Sequence, residues 1–176
     1  GGPKGIGALY IAPSIQSKIV PLLYGGGQEN GLRSGTEATA QIAGFAAAVR
    51  RRMASLDDIL HHTADMQAYA KERLLSVPGV KLVGSPEAPH ILCCTLPGYP
   101  SQNLVEDLGN QGIFLSAGSA CHRGKPSHVY AALPLTKAQR DGAFRVSFSG
   151  DSTRAEVDAL IDGLSFAAKT LFPSMQ

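Results

Sequence analysis

The chain has 176 residues, 44% of them apolar, and its 16 Lys and Arg against 14 Asp and Glu leave a formal charge of +2. No apolar run reaches the roughly 20 residues that span a bilayer, no secretory signal opens the chain, and an odd count of three cysteines is not a disulfide framework. The near balance of charge argues neither for nor against nucleic acid, which needs a local basic stripe. No nucleic acid and no membrane are expected, and the sparse cysteines make a reducing cytosol or an organelle matrix the default, with a cytoplasmic setting the expectation.

In chain order, Gly1-Gly2-Pro3-Lys4-Gly5 lacks a Met and opens inside a turn, which points to a truncated, cleaved or incomplete chain. Residues 6–11 alternate loosely and end in Ala12-Pro13, the pattern of a short buried strand. Residues 21–34 form a loop centred on Gly25, Gly26 and Gly27, where consecutive glycines oppose regular structure. A helix is predicted over 36–53, with Ile42, Phe45, Ala46 and Val49 at spacings of three and four. Arg50, Arg51 and Arg52 read as its solvated last turn, facing the negative pole of the dipole. A second helix over 56–75 carries Ile59, Met66, Tyr69, Ala70 and Leu74 inward and stops at Pro78-Gly79.

Residues 80–83 and 91–96 read as strands. A short helix over 102–110 turns Leu104, Val105 and Leu108 inward, and 112–116 starts a further strand. A one- or two-turn helix is expected over 127–133, a strand over 144–148, and a closing helix over 153–170. Thr153 and Glu156 have the spacing of a capping box at the start of that helix. The division expected is 1–54, with a strand, a glycine loop and a helix, and 55–176, a compact α/β domain of two layers.

Three segments carry possible chemistry. The first is Ser116-Ala117-Gly118-Ser119-Ala120-Cys121-His122-Arg123-Gly124-Lys125-Pro126. Small neighbours leave the Cys121 sulfur reachable, glycines let the loop swing, and Arg123, Lys125 and His122 favour thiolate over thiol. The plainer alternative is a small buried apolar cysteine, which is how Cys93 and Cys94 read in their hydrophobic strand. The second is the run from Gly25 to Thr36. Its glycine amides, the planar fork of Arg33 and the Thr36 hydroxyl at a helix start make either an anion cradle or a structural turn with a Thr cap. The third is Arg145, alternating with apolar residues in Phe144-Arg145-Val146-Ser147-Phe148, which either points to solvent or enters a cleft to bind a carboxylate. Metal binding is not expected, because Cys93-Cys94, Cys121-His122 and His61-His62 are adjacent pairs whose side chains diverge.

With these motifs in this order the chain resembles the C-terminal portion of a NifS/IscS-type cysteine desulfurase, a fold-type I enzyme dependent on pyridoxal 5'-phosphate. Gly2-Pro3-Lys4-Gly5-Ile6-Gly7-Ala8-Leu9-Tyr10 is similar to the stretch just after the lysine that holds the cofactor. Gly25-Gly26-Gly27-Gln28-Glu29 with Gly31-Leu32-Arg33-Ser34-Gly35-Thr36 is similar to the long glycine motif. Gly118-Ser119-Ala120-Cys121 is similar to the loop of the catalytic cysteine, and Pro126-Ser127-His128-Val129 and Arg145 follow in the family's order.

The resemblance implies that 1–54 ends a large cofactor-binding domain and that 55–176 is the small α/β domain. It implies that Cys121 takes sulfur from L-cysteine as a persulfide, releasing L-alanine, for an acceptor or scaffold protein serving iron–sulfur cluster or thio-cofactor synthesis. Arg145 then binds the substrate carboxylate and Thr36 the cofactor phosphate of the partner subunit in a homodimer. Arg33 and the glycines shape the interface loop, and Gly118, Ser119, His122 and Arg123 support the cysteine. The cofactor lysine falls ahead of Gly1, and Lys4 matches a later structural lysine, so the chain alone is expected to be inactive and to hold no cofactor covalently. His122 stands where many relatives carry Ser or Thr, and Ala38 where the family has Asn. Two other readings are a non-catalytic interaction fragment and a relative of selenocysteine lyase.

Overall fold

The computed structural model describes residues 2–117 and 128–171. They form two compact units, Gly1–Leu56 and Asp57–Gln176.

The first unit holds α1 (Pro13–Gln16), a single 3-10 turn at Gln28–Gly31, and α2 (Thr39–Met53). Proline at the first position starts α1, where its missing N–H costs no helical hydrogen bond. The strand expected over 6–11 is absent: the segment is irregular, with Leu9 and Tyr10 exposed. Alternation describes one strand, but an extended segment becomes a ladder only beside a partner, and the described residues of this unit hold no strand. The N-terminal stretch runs close to α2, since a Cβ at Gly44 would stand 3.2 Å from Pro3 Cγ and one at Gly2 3.6 Å from Phe45. The apolar stripe of α2 is only partly covered, with Ile42 and Val49 exposed, and no described residue of 2–56 is buried.

The second unit is a three-stranded antiparallel sheet of β1 (Lys81–Leu82), β2 (Ile91–Thr95) and β3 (Ala143–Ser147), in that order. Around it lie α3 (Leu56–Leu75), α4 (Ser101–Asn110), α5 (His128–Ala131), α6 (Lys137–Asp141) and α7 (Arg154–Thr170). The strand periodicity of two sends Leu92 and Cys94 of β2, and Phe144 and Val146 of β3, into one core with Met66, Ala70 and Leu74 of α3, Leu104 and Leu108 of α4, and Val157, Leu160 and Leu164 of α7. Each fully buried Phe or Leu in it is worth about 1.5–3 kcal/mol of transfer free energy. The mixed α/β architecture expected for this part of the chain is the one found. Of the strand expected over 112–116, one isolated bridge remains, Ser116 to Arg145.

Polar side chains fix the elements against each other. Asp158 of α7 accepts from the Tyr69 hydroxyl at 2.7 Å and from Arg73 Nε at 3.1 Å, both on α3, and the Arg154 guanidinium lies 4.8 Å from the Tyr69 ring centre. Gln67 Nε2 donates to the carbonyls of Ala88 and Ile91, each at 2.8 Å, and Thr95 Oγ1 donates to that of Gln139 at 2.7 Å, so both ends of β2 are held. Thr153 and Glu156 form the expected capping box on α7. A second box, Thr136 with Gln139, starts α6, which the sequence reading passed over.

Candidate functional site

Arg145 occupies the middle of β3. Ala143, Phe144 and Val146 around it are buried, whereas Arg145, like Ser147 at the end of the strand, is exposed. It pairs across the ladder with Cys93 of β2. On its other flank the isolated bridge joins it to Ser116, with N–H to carbonyl distances of 2.9 and 3.3 Å, and Arg145 Nη2 donates to Ser116 Oγ at 3.4 Å. The ion pairs among the described residues are Arg73–Asp158 and Lys137–Asp141, so no carboxylate neutralises Arg145. A cation with that freedom beside an apolar sheet is suited to an incoming carboxylate, which its fork can take by two parallel bonds.

Cys93 was expected to be a small buried hydrophobe like Cys94, and it differs. Cys94 is fully buried, and burial, with a smaller contribution from Cys93, pushes its thiol up to about 12. Cys93 is half-buried on the opposite face of β2, the face of Arg145. There Val83, Tyr130 and Ala143 form a second, smaller cluster with Cys93, Leu133 and Leu135 against it. Burial, together with the charge and side-chain hydrogen bond of Cys93, raises the Tyr130 phenol above its ordinary range, while the charge of Arg145 pulls the other way. Tyr130 is a buried neighbour of this face that sequence reasoning missed. Alternation through Leu92 and Cys94 would have placed Cys93 on this face, but no sequence spacing reports that α5 covers it.

The segment around Cys121, which the sequence singled out, lies outside the described residues: Gly118, Ser119, Cys121, His122 and Arg123 are all within 118–127. Its flanks are described, Ser116 at the bridge to Arg145 and His128 at the start of α5.

In the first unit the glycine loop closes on itself. Gln28 Oε1 accepts from the Gly35 N–H at 3.3 Å, Ser34 Oγ donates to the Leu23 carbonyl at 3.0 Å, and Arg33 Nη1 donates to the Ser34 carbonyl at 3.2 Å. Gly25, Gly26 and Gly27 are exposed, and a Cβ at Gly26 would run into the Gln28 carboxamide. Glu29 and Asn30 both take left-handed backbone, at φ 51° and 55°, a cost the closed loop sustains. Thr36 does not open the helix as expected: α2 begins at Thr39, and its N-cap is Ala38, with no side-chain hydrogen bond. The reading of Thr36 as a structural cap is therefore set aside. Its hydroxyl is exposed and bonds no described residue, and the first amides of α2 have no capping side chain. Thr36, Arg33 and the glycines belong to one unit and Arg145 to the other.

Among the described residues no group of three or more His, Cys, Asp and Glu gathers as metal ligands, and no helix is long and apolar enough to cross a membrane.

Comparison with known proteins gives the chain its relatives. The Aminotransferase class-V family matches residues 1–160. A probable mitochondrial cysteine desulfurase of Schizosaccharomyces pombe is 34% identical over 170 residues, covering 93% of this chain and 33% of the relative. The cysteine desulfurase IscS of Clostridium botulinum is also 34% identical over 170 residues, covering 93% of this chain and 42% of its own length. Among solved structures, a NifS-like protein from Rickettsia africae superposes with a TM-score of 0.76 at 25% identity, over 86% of this chain and 41% of that one. The chain thus spans between a third and about two-fifths of the curated relatives it matches. It belongs to the class-V aminotransferase family and is homologous to the NifS/IscS-type cysteine desulfurases within it.

Proposed function

We propose that this chain is the part of a pyridoxal-phosphate-dependent cysteine desulfurase that carries the sulfur acceptor, Cys121, and the substrate-carboxylate clamp, Arg145. The observation that carries the reading is the bridge between Ser116 and Arg145, which ties the free cation to the segment leading into Cys121. Cys121 follows Ser116 by five positions, a reach of at most about 18 Å in extended chain.

The available donors fit the cofactor. Its phosphate needs uncommitted hydroxyl and amide donors, and Thr36 with the uncapped start of α2 offers both, in a site completed by a second subunit. Arg33 and Gly25, Gly26 and Gly27 shape the loop that holds Thr36 in place. When bound, the cofactor supplies the electron sink for cleaving a carbon–sulfur bond. Arg145 fixes the L-cysteine carboxylate. The Cys121 thiolate, favoured by Arg123 and His122, attacks the substrate sulfur, so that an S–S bond forms as the C–S bond breaks. The carbon fragment takes up a proton and leaves as L-alanine. Cys121 keeps the sulfur as a persulfide for delivery to an acceptor protein. Sulfur and electrons balance without an outside oxidant.

Exposed apolar side chains in the first unit, Leu9 at 82%, Leu22 at 95% and Tyr24 at 76%, support its covering by more polypeptide, in keeping with a dimer. The test is made on the intact native protein with its cofactor. Arg145→Ala should raise KM for L-cysteine roughly tenfold or more, the loss of a charge-assisted bond. Cys121→Ser should abolish the protein persulfide. Persulfide formation that survives Cys121→Ser would refute the assignment.

A further inference from the structure

Four residues stand in one row across the sheet and the bridge beside it. Val83 N–H donates to the Cys93 carbonyl at 2.9 Å, Cys93 is the ladder partner of Arg145, and Arg145 is bridged to Ser116. Residues opposed across antiparallel strands project on the same face, so their side chains follow one another along the row. The two ends of the row differ in chemistry. Val83 is buried with Tyr130 and Ala143, and Cys93 packs against that cluster. Ser116, at the other end, is half-buried and offers a hydroxyl. Arg145 N–H donates to the Ser116 carbonyl at 2.9 Å, and the Arg145 carbonyl accepts from Ser116 N–H at 3.3 Å. Such a doubly bonded pair has its Cα atoms about 5.5 Å apart, near enough for the two side chains to meet. Arg145 Nη2 donates to Ser116 Oγ at 3.4 Å. With an apolar neighbour on one side and an acceptor on the other, the guanidinium has one polar direction along the row. No carboxylate among the described residues pairs with it.

We infer that Ser116 is a positioning residue for Arg145: its hydroxyl takes one N–H of Nη2 and sets the fork in the orientation that receives a carboxylate. The inference rests on the reading of Arg145 as a carboxylate clamp, and it goes further in naming the group that aligns the clamp. A guanidinium has several N–H donors in a rigid plane, so one bond to Ser116 leaves an edge of the fork free for two parallel bonds to a carboxylate. The acceptor has to be neutral. A hydroxyl restrains the guanidinium without cancelling its charge, whereas a carboxylate at the same place would occupy the fork as a standing ion pair. The main-chain bonds between the two residues fix where the hydroxyl stands, so alignment asks only for the rotation of one short side chain.

Two measurements test it. In the intact native protein with its cofactor, Ser116→Ala should raise KM for L-cysteine about two- to tenfold, with kcat within about twofold of wild type. Ser116→Thr, which returns the hydroxyl, should restore KM. In an Arg145→Ala background the Ser116→Ala change should have no further effect, because the interaction it removes is already gone. A merely structural role would give equal losses in both backgrounds. The second measurement needs neither cofactor nor turnover. The rate at which phenylglyoxal modifies Arg145 in the full chain, resolved by peptide mass, is compared between Ser116→Asp and Ser116→Asn. The two replacements match in size, so the difference between them reports charge. With the guanidinium turned towards position 116, the introduced carboxylate pairs with it and should slow modification about threefold or more at low salt. Concentrated salt should remove the difference. Equal labelling rates in the two variants overturn the inference. So do equal losses from Ser116→Ala in both backgrounds, or a Ser116→Ala enzyme with wild-type KM where Arg145→Ala raises it. If Arg145→Ala leaves KM for L-cysteine unchanged, the clamp reading alone fails, and the labelling rates still decide whether Ser116 directs the arginine.

Discussion

Replacing Gly142 by alanine tests the packing that delivers Arg145 to its place. Gly142 joins α6 to β3 three residues before Arg145. A Cβ built there would overlap the Leu96 carbonyl oxygen and stand 2.8 Å from the Leu96 carbonyl carbon and 3.1 Å from the Tyr99 oxygen. All three are backbone atoms, so no side chain can rotate away, and the chain must move by several tenths of an ångström or more. Overpacking of this kind costs about 1–3 kcal/mol. The same movement strains the hydrogen bond from Leu96 N–H to the Gly142 carbonyl, 3.0 Å long, which adds about 1 kcal/mol. The expected destabilisation is therefore about 2–4 kcal/mol. In urea unfolding followed by circular dichroism this should appear as a midpoint lower by roughly 1–2 M with an unchanged slope. Gly163 in α7 is the control. There a Cβ would meet Leu108 Cδ2 at 2.6 Å and Ile113 Cδ1 at 3.1 Å, the ends of flexible side chains. Their adjustment is offset by the gain of about 1 kcal/mol in helix propensity, so Gly163→Ala should stay within about 1 kcal/mol of wild type. If Gly142→Ala unfolds at the wild-type midpoint, the close approach of α6–β3 to Leu96 is wrong.

Thr153→Ala removes the capping box of α7 and should cost about 1 kcal/mol, read from the same urea curve. The buried Cys94 thiol, pushed up to about 12 from an ordinary 9, stabilises the fold in its neutral form. That contribution is complete below pH 9 and is lost as pH rises towards 12, by up to about 4 kcal/mol. Cys94→Ala should flatten this alkaline loss in stability measured against pH, and a profile as steep as wild type would contradict it. Tyr130 has the same sign, raised by burial and Cys93, so its share of stability is held below pH 10 and lost above its elevated value, and Tyr130→Phe should remove that share. In the native fold iodoacetamide should modify Cys121 first and leave Cys94 intact, and peptide mass would show the order.

How far the sequence foretells this molecule differs between its halves. In the second unit several elements were announced by a local device that also operates in the structure: Thr153 with Glu156 at α7, the spacing of Leu104 and Leu108 in α4, the alternation around Phe144. Thr136 and Gln139 carry the same signal for α6, but five helical residues have no apolar period to draw attention to it. In the first unit the local pattern of 6–11 was that of a strand, and no strand formed, because strand formation depends on a neighbour and local pattern says nothing of one. The glycine run correctly marked a loop but hid the 3-10 turn at Gln28–Gly31, whose left-handed residues are a Glu and an Asn. For the site, Arg145 could be singled out as a lone charge among apolar residues, whereas the partial exposure of Cys93 turned on which face of β2 it occupied and what covered that face.

Apolar residues occupy both faces of β2, Ile91 and Cys93 on one and Leu92 and Cys94 on the other, so polarity along this stretch cannot tell one alignment from the next. A shift by a single residue would place Leu92 or Cys94 opposite Arg145 at little hydrophobic penalty. What prevents it is anchorage outside the strand, Gln67 grasping the carbonyls of Ala88 and Ile91 at one end and Thr95 grasping Gln139 at the other. An amide on α3 thus decides which sulfur atom the arginine meets.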